Sequence, residues 1–308
     1  MIHLGLSLTP FGHDPAAWQS ANREALSFDA LLRQALLAEE AGFDFVWLAD
    51  RMGERPVNTL SPLATPFEPT TLASALTTKT KNIGLIATAA THQHEPYNLA
   101  RRFASLDWIS HGRAGWAIVA GTEDARDREY VELVSALWDS WEDDAFIYDK
   151  AAGRFFVPEK MHVLNHTGAN FSVRGPLNVN RSPQGKPVLT AVGGSPVAHL
   201  AEIIFVLDGA PIAEVASKRA EVRIIKSVTD FTGVAADVAD IFEREAESGI
   251  DGFVLMPSTT AELGSFIETV LPELKKRGLL GAPPTGGTLR ERLGLSRLAH
   301  PASLERAS

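Results

Sequence analysis

The densest group of reactive side chains in the sequence is Thr88, Thr91, His92, Gln93 and His94, which place hydroxyl, amide and imidazole groups within one short stretch. Imidazoles change charge near neutrality, so His92 and His94 are candidates for facing a substrate or handling protons. Two histidines two residues apart also raise a metal site. No third ligand is evident, and the H-E-x-x-H pattern fails because Pro96 and Tyr97 follow His94–Glu95. The preferred reading is a pocket lining with no metal; the plainer alternative is a solvated loop.

Other candidates are scattered. Asp50 closes an apolar run, where a carboxylate either holds a ligand N–H or hydroxyl, or caps a loop by pairing with Arg51 or Arg55. Gly193–Gly194–Ser195 follows another apolar run and opens a helical segment. Backbone N–H groups plus a hydroxyl there suit an anion such as phosphate; a tight turn with a serine cap is the simpler alternative. Glu68 and Glu95 each precede a proline at a helix start and read as caps. Asp107 reads as a structural partner of Arg101 or Arg102. Trp108, Trp116, Trp138 and Trp141 read as packing residues. No Ser-His-Asp order or paired-carboxylate spacing stands out.

The elements that must position these groups alternate regularly. Apolar runs at Ile2–Leu8, Phe43–Ala49, Ile83–Thr88, Arg113–Val119, Pro187–Val192, Ile203–Leu207, Val222–Val228 and Gly252–Met256 read as strands. Helical periodicity appears at Phe28–Ala41, Thr70–Thr80, Tyr97–Ser110, Tyr130–Trp141, Ile212–Glu221, Val234–Ser248 and Leu263–Arg277, with a short helix after Ser195. Nearly continuous apolar strands alternating with helices mean a parallel sheet buried on both faces. Eight such units in about 250 residues predict an α/β fold, a closed (β/α)8 TIM barrel. Reactive groups just past strand ends would then cluster at the carboxyl-terminal mouth. We expect one barrel domain over residues 1–280, an excursion with a small hairpin at 143–186, and a polar tail at 281–308. An open doubly wound sheet is the alternative, but G-x-G-x-x-G after the first strand and G-x-x-x-x-G-K-[ST] are both absent.

Two joints look short. GTEDARDR is lean for a strand-to-helix loop, and EVASKRAEVRIIKSV joins helix to strand without Gly, Pro or Asn. Either the barrel is trimmed there or residues are missing from the chain.

A net charge of −9 and no basic stripe argue against nucleic acid as a partner. No apolar run is long enough to span a membrane, and the first residues lack the basic start of a signal peptide. The absence of cysteine removes disulfides, thiolate nucleophiles and Cys-ligated metal, and fits a cytoplasmic location.

The block IGLIATAAT…EPYNLARRFASLDWISHGRAGW resembles the bacterial luciferase-like flavin monooxygenases, in the branch with nitrilotriacetate, dibenzothiophene-sulfone and long-chain alkane monooxygenases. LWDSWEDDA, DKAAGRFF, FSVRGPLNVNRSPQGKPV, DGFVLMP and TLRERLGL agree with that branch, so the resemblance covers most of the chain. It implies a (β/α)8 barrel and two-component monooxygenation. A separate NAD(P)H:flavin reductase supplies reduced FMN (FMNH2), which reacts with O2 to a peroxyflavin that oxygenates a small organic substrate. It also implies a homodimer or higher homo-oligomer. Carried over by position, Asp50 resembles the aspartate beside the flavin ring. Thr88 and the Ala89–Ala90 step resemble the strand lying against the flavin, and Gly194 and Ser195 the phosphate turn. Ala117 stands where the branch usually has Asn, and Ala191 where it usually has Gln. A His-x-x-x-Tyr phosphate segment is missing between Asp124 and Tyr130, and so is a long segment before the last barrel unit. A non-catalytic flavin- or ligand-binding relative, and a deazaflavin-dependent oxidoreductase on the same barrel, are the alternative functions.

Overall fold

The computed structural model describes residues 1–14, 16–19, 21–50, 67–207, 222–281 and 286–307. Eight strands form one closed parallel barrel: β1 (His3–Ser7), β2 (Phe45–Leu48), β3 (Gly84–Ala90), β4 (Ala114–Val119), β9 (Val188–Val192), β10 (Ile203–Val206), β11 (Arg223–Val228) and β12 (Gly252–Leu255). Its order is β1-β12-β11-β10-β9-β4-β3-β2, so neighbours in sequence are neighbours in space and β12 closes on β1. Between β4 and β9 the excursion forms two ribbons: β5 (Phe146–Asp149) with β6 (Arg154–Phe156), and β7 (His166–Thr167) with β8 (Ser172–Val173). One hairpin was expected there.

The apolar strands have two cores to serve, because successive side chains point to opposite faces. Phe45, Ile86, Ala117, Val188, Ile203, Phe205, Ile225 and Val254 fill the barrel interior. Their odd-numbered or even-numbered neighbours, such as Leu4, Leu85, Ile118 and Ile204, pack outward against the helices. β1 shows why the interior is tight: a Cβ at Gly5 would stand 2.2 Å from the Phe45 ring.

The jacket contains α1 (Phe28–Ala41), α2 (Pro69–Thr77), α3 (Pro96–Ile109), α4 (Asp124–Leu137), α5 (Ala235–Glu247), and α6 (Thr260–Ser265) continuing through a π-helical turn at Phe266–Val270 into α7 (Leu271–Lys276). α1 is held between a Ser27 cap, which accepts from Ala30 N–H, and Gly42 at φ +91°. Glu68 caps α2 as expected, accepting from the Thr70 and Thr71 N–H groups, whereas Glu95 makes no side-chain cap on α3.

Several expected elements are corrected. α4 starts at Asp124, not Tyr130, so the supposed lean loop is largely helix and only Ala120–Glu123 remain to turn the chain. The helix expected after Ser195 is a single 3-10 turn, Ala198–Leu200, with Val197 at its start. The helix expected at Ile212–Glu221, with the joint to β11, lies outside the described residues. Asp107 pairs with neither Arg101 nor Arg102, because residues five and six apart on a helix do not face each other. It accepts instead from the Ala114 N–H and the Gln184 amide. Trp116, Trp138 and Trp141 are buried, while Trp108 is 43 % exposed and donates to the Asn180 carbonyl.

The segment read as a polar tail forms the floor of the barrel. Leu289, Leu293 and Leu295 join the interior cluster, and the Leu289 N–H donates to the Gly112 carbonyl at the amino-terminal end of β4. Thr288 and Glu291 form a capping box on α8 (Leu289–Arg292). Arg290, 1 % exposed, binds the Glu202 carboxylate with both terminal nitrogens, and its N–H donates to Gln184. α9 (Pro301–Ala307) follows, with Arg306 on both oxygens of Glu142.

Candidate active site

With the floor sealed by leucines, the interior opens at the carboxyl ends of the strands. Thr88, Ala117, Thr190 and Ile203 are in register across β3, β4, β9 and β10. Ile86, Ala117, Val188 and Ile203 belong to the interior cluster, so by alternation Thr88, Ala90 and Thr190 also face inward. Two hydroxyls therefore flank the small Ala117 side chain. Trp47 stacks on Phe205 at 4.6 Å and 15°, and its Nε1–H donates to Thr88 Oγ1 at 3.1 Å. That bond fixes the indole as one wall of the interior; such a stack is worth about 1 kcal/mol beyond its burial. β3 extends two residues past its expected end, so Thr88, Ala89 and Ala90 all lie on the strand and are buried. Ala191 faces outward into the jacket core.

Three polar atoms here are buried without a hydrogen bond: Ser7 Oγ, Thr190 Oγ1 and His13 Nε2. Ser7 shares the inward face of β1 with Gly5. His13 is anchored by its N–H to the Pro257 carbonyl beyond β12, and its ring bonds to the Ser7 backbone. A ring nitrogen on a carbonyl is a donor, which leaves Nε2 with a bare lone pair in the neutral ring. Burial pushes the His13 pKa down, opposed by that backbone bond.

At the rim, Thr91 donates to the Val119 carbonyl through its N–H and to Asp127 Oδ1 through its hydroxyl. Asp127 is 1 % exposed, and Arg126 Nη1 lies 3.8 Å from the same oxygen. His92 is exposed on the turn after β3 and, with Gly121, Thr122, Glu123, Arg126 and Asp127, lines a cavity of about 470 Å³ at the β4 exit. His94 does not line that cavity. It is half-buried, and burial followed by the nearby Arg102 charge lowers its pKa, with Glu68 opposing. The two histidines thus share a turn but not a pocket wall.

Asp50 stands two residues beyond β2, half-buried at the same rim; Arg51 and Arg55 lie outside the described residues. The Gly193 N–H donates to Phe205 and the Ser195 N–H to Val192. Two of the turn's N–H groups are therefore spent within the chain, and the short 3-10 turn supplies little dipole. Gly194 has φ +82°, a conformation that costs glycine least, and open space where a Cβ would be.

Among the described residues, Glu142, His162 and His300 place possible metal ligands within 4.8 Å of one another. The groups are already engaged. Arg306 takes both Glu142 oxygens, and His300 donates from Nε2 to the Asp139 carbonyl and accepts at Nδ1 from Ala302 N–H. They dock α9 at the side of the barrel, away from the mouth.

Comparison with known proteins agrees with this architecture. Residues 6–228 match the family described as luciferase-like monooxygenase. N-acetyl-S-(2-succino)cysteine monooxygenase of Bacillus subtilis is 43% identical over 66% of this chain and 52% of its own length. A subunit of pristinamycin IIA synthase from Streptomyces pristinaespiralis is 38% identical over 89% of this chain and 91% of its own. Nitrilotriacetate and dibenzothiophene-sulfone monooxygenases are further relatives, and the chain spans about half the length of most of these enzymes. EDTA monooxygenase from Chelativorans sp. BNC1 superposes with a TM-score of 0.83 at 25% identity, over 96% of this chain and 98% of that one. With a family match across most of the barrel and relatives of this identity, the chain belongs to the luciferase-like monooxygenase family.

Proposed function

We propose that the chain is the oxygenating component of a two-component system, using reduced flavin with O2 on a small organic substrate. The flavin is FMN, delivered as FMNH2 by a separate NAD(P)H:flavin reductase. The observation that carries this reading is the family match together with an interior in which Thr88 and Ala90 of β3 face inward and Thr88 accepts from the indole of the Trp47–Phe205 stack. The lack of a dinucleotide fingerprint fits a protein that receives its reducing equivalents already on flavin.

The residues present suit the ring of a flavin. Ala90 and Ala117 are small enough to suit a flat body, and the Ser7 and Thr190 hydroxyls lack partners that a heteroaromatic edge would provide. Bound reduced flavin supplies the oxygen-activating chemistry. Thr88 and Ala90 would support one face, with Asp50 at the rim. Gly194 and Ser195 would meet the phosphate, through side chain and remaining backbone, since the Gly193 and Ser195 N–H groups are committed. The leucine floor closes the interior to water from below, and a dry interior strengthens every polar contact made there. His92 and His94 would hold or move protons at the rim; His13 Nε2 is a third, more buried acceptor. We further propose a homo-oligomer in the cytoplasm. Among the described residues no helix is long and apolar enough to cross a membrane.

The test is oxygen uptake with enzymatically reduced FMN over a panel of organosulfur, aminopolycarboxylate and alkane substrates. Oxygenated product from at least one is expected. Hydrogen peroxide as the sole product across the panel would count against the reading.

A further inference from the structure

We infer that Glu142, His162 and His300 form a structural Zn²⁺ site at the side of the barrel, in which the ion staples the carboxyl-terminal segment to the excursion. A ring nitrogen of each histidine and a carboxylate oxygen of Glu142 lie within 4.8 Å of one another. The three come from separate parts of the chain. Glu142 follows α4, His162 lies between the β5–β6 and β7–β8 ribbons, and His300 immediately precedes α9. Two imidazoles and a carboxylate are a donor set suited to zinc, with water as the fourth ligand. His162 Nε2 is 3.1 Å from Glu142 Oε1, and the two imidazoles stack at 5.0 Å and 30°. Two ligands each about 2 Å from a tetrahedral zinc stand about 3.3 Å apart, so the Glu142–His162 pair is already at coordinating separation.

The engagements of these groups without metal are of kinds that an ion keeps or displaces. His300 is 3 % exposed, and its Nε2–H on the Asp139 carbonyl is the outer contact that orients a metal-bound histidine and fixes its tautomer. That tautomer carries a lone pair on Nδ1, met now by the Ala302 N–H at 3.2 Å, two residues along the chain. Glu142 is 2 % exposed, and a carboxylate so placed needs a cation beside it. Arg306 supplies one by binding both oxygens. Its own side chain is 59 % exposed and stands near the end of α9, so it can turn into water and surrender Glu142 to a metal. Glu142 stays neutralised in either state. The partly exposed His162 side chain opens the route from solvent. With zinc in place, the link from α9 to the excursion is made by coordinate bonds at His300 rather than by an exposed arginine.

The experiment uses the full chain without a histidine tag, dialysed against a chelator and titrated with zinc chloride by calorimetry, with thermal unfolding followed in parallel. One ion per chain is expected, with a Kd on the order of 1 μM. Saturating zinc should raise the unfolding temperature by about 2 °C or more. His162→Ala, at a partly exposed position, should weaken zinc binding by at least about tenfold, the loss that removal of even an outer-shell partner brings. Arg306→Ala separates a metal site from a mere docking contact. If Arg306 only docks α9, its removal lowers stability and leaves zinc affinity as it was. As the competitor of the ion, its removal tightens zinc binding by about threefold or more. No stoichiometric binding, an affinity that survives His162→Ala, or an Arg306→Ala protein with no gain in affinity overturns the inference.

Discussion

At the scale of single residues, position along a strand made some groups legible and burial concealed others. Asp50, Thr88 and Ser195 stood out as candidates because each closes or follows an apolar run, and in a parallel barrel every such run ends at the mouth. Ser195→Ala and Asp50→Ala should each weaken reduced-FMN binding about five- to tenfold in anaerobic titration; unchanged affinity in both would remove them from the site. Asp127 and His13 did not stand out. Nothing in a polar string such as GTEDARDR reveals which carboxylate turns inward, and a histidine beside Gly12 reads as loop. The available signal for Asp127 was its helical spacing to Tyr130, Val131 and Val134, all buried with it on one face of α4. His13 has a pH signature. Its folded pKa lies below its ordinary value because burial disfavours the charged ring. As pH falls below about 6.5 the unfolded chain takes up a proton that the folded ring resists, so stability drops. Thermal unfolding of His13→Gln between pH 5 and 8 should show a shallower acid-side loss than the unaltered protein.

Among the elements, those with strong periodicity were placed within a few residues, and the errors lie where short-range chemistry competes. The first turn of α4 is acidic, with Asp124 and Asp127 suited to a helix amino terminus, so residues that look like loop are helical. After β9 the reverse holds. Only ten residues separate Val192 from Ile203, and Pro196 with two tight bonds from Gly193 and Ser195 leaves space for one turn. The end of α3 carries a buried carboxylate whose role is testable. Burial pushes Asp107 up to about 6, against the hydrogen bonds from Ala114 N–H and Gln184. A pKa raised on folding favours the native state at low pH and loses that contribution as pH rises through about 6. Asp107→Asn keeps an oxygen for both donors and cannot ionise. It should be more stable than the unaltered protein at pH 8 by about 1–3 kcal/mol, with the difference vanishing near pH 4. A variant equal to or less stable than the parent at pH 8 in urea unfolding would refute this.

For the whole molecule, the eightfold alternation was enough to predict a closed barrel, and the missing dinucleotide motifs to set aside the open sheet. The floor was not legible. Leu289, Leu293 and Leu295 are sparse among polar neighbours, and their burial arises from where the chain returns, which no local pattern encodes. Leu293→Ala should cost about 2–5 kcal/mol, as large-to-small changes in a closed core do. A loss within about 0.5 kcal/mol, typical of surface sites, would show that the floor is not part of the core.

That floor also orders the assembly of the molecule in time. The strands run from His3 to Leu255, but the side chains that stopper their base come from residues 289–295. Because synthesis runs from the amino to the carboxyl end, all eight strands leave the ribosome before the residues that cap the barrel's base. A chain stopped short of α8 would therefore leave the base of its interior cluster uncovered, and its apolar floor contacts would be the last to be made.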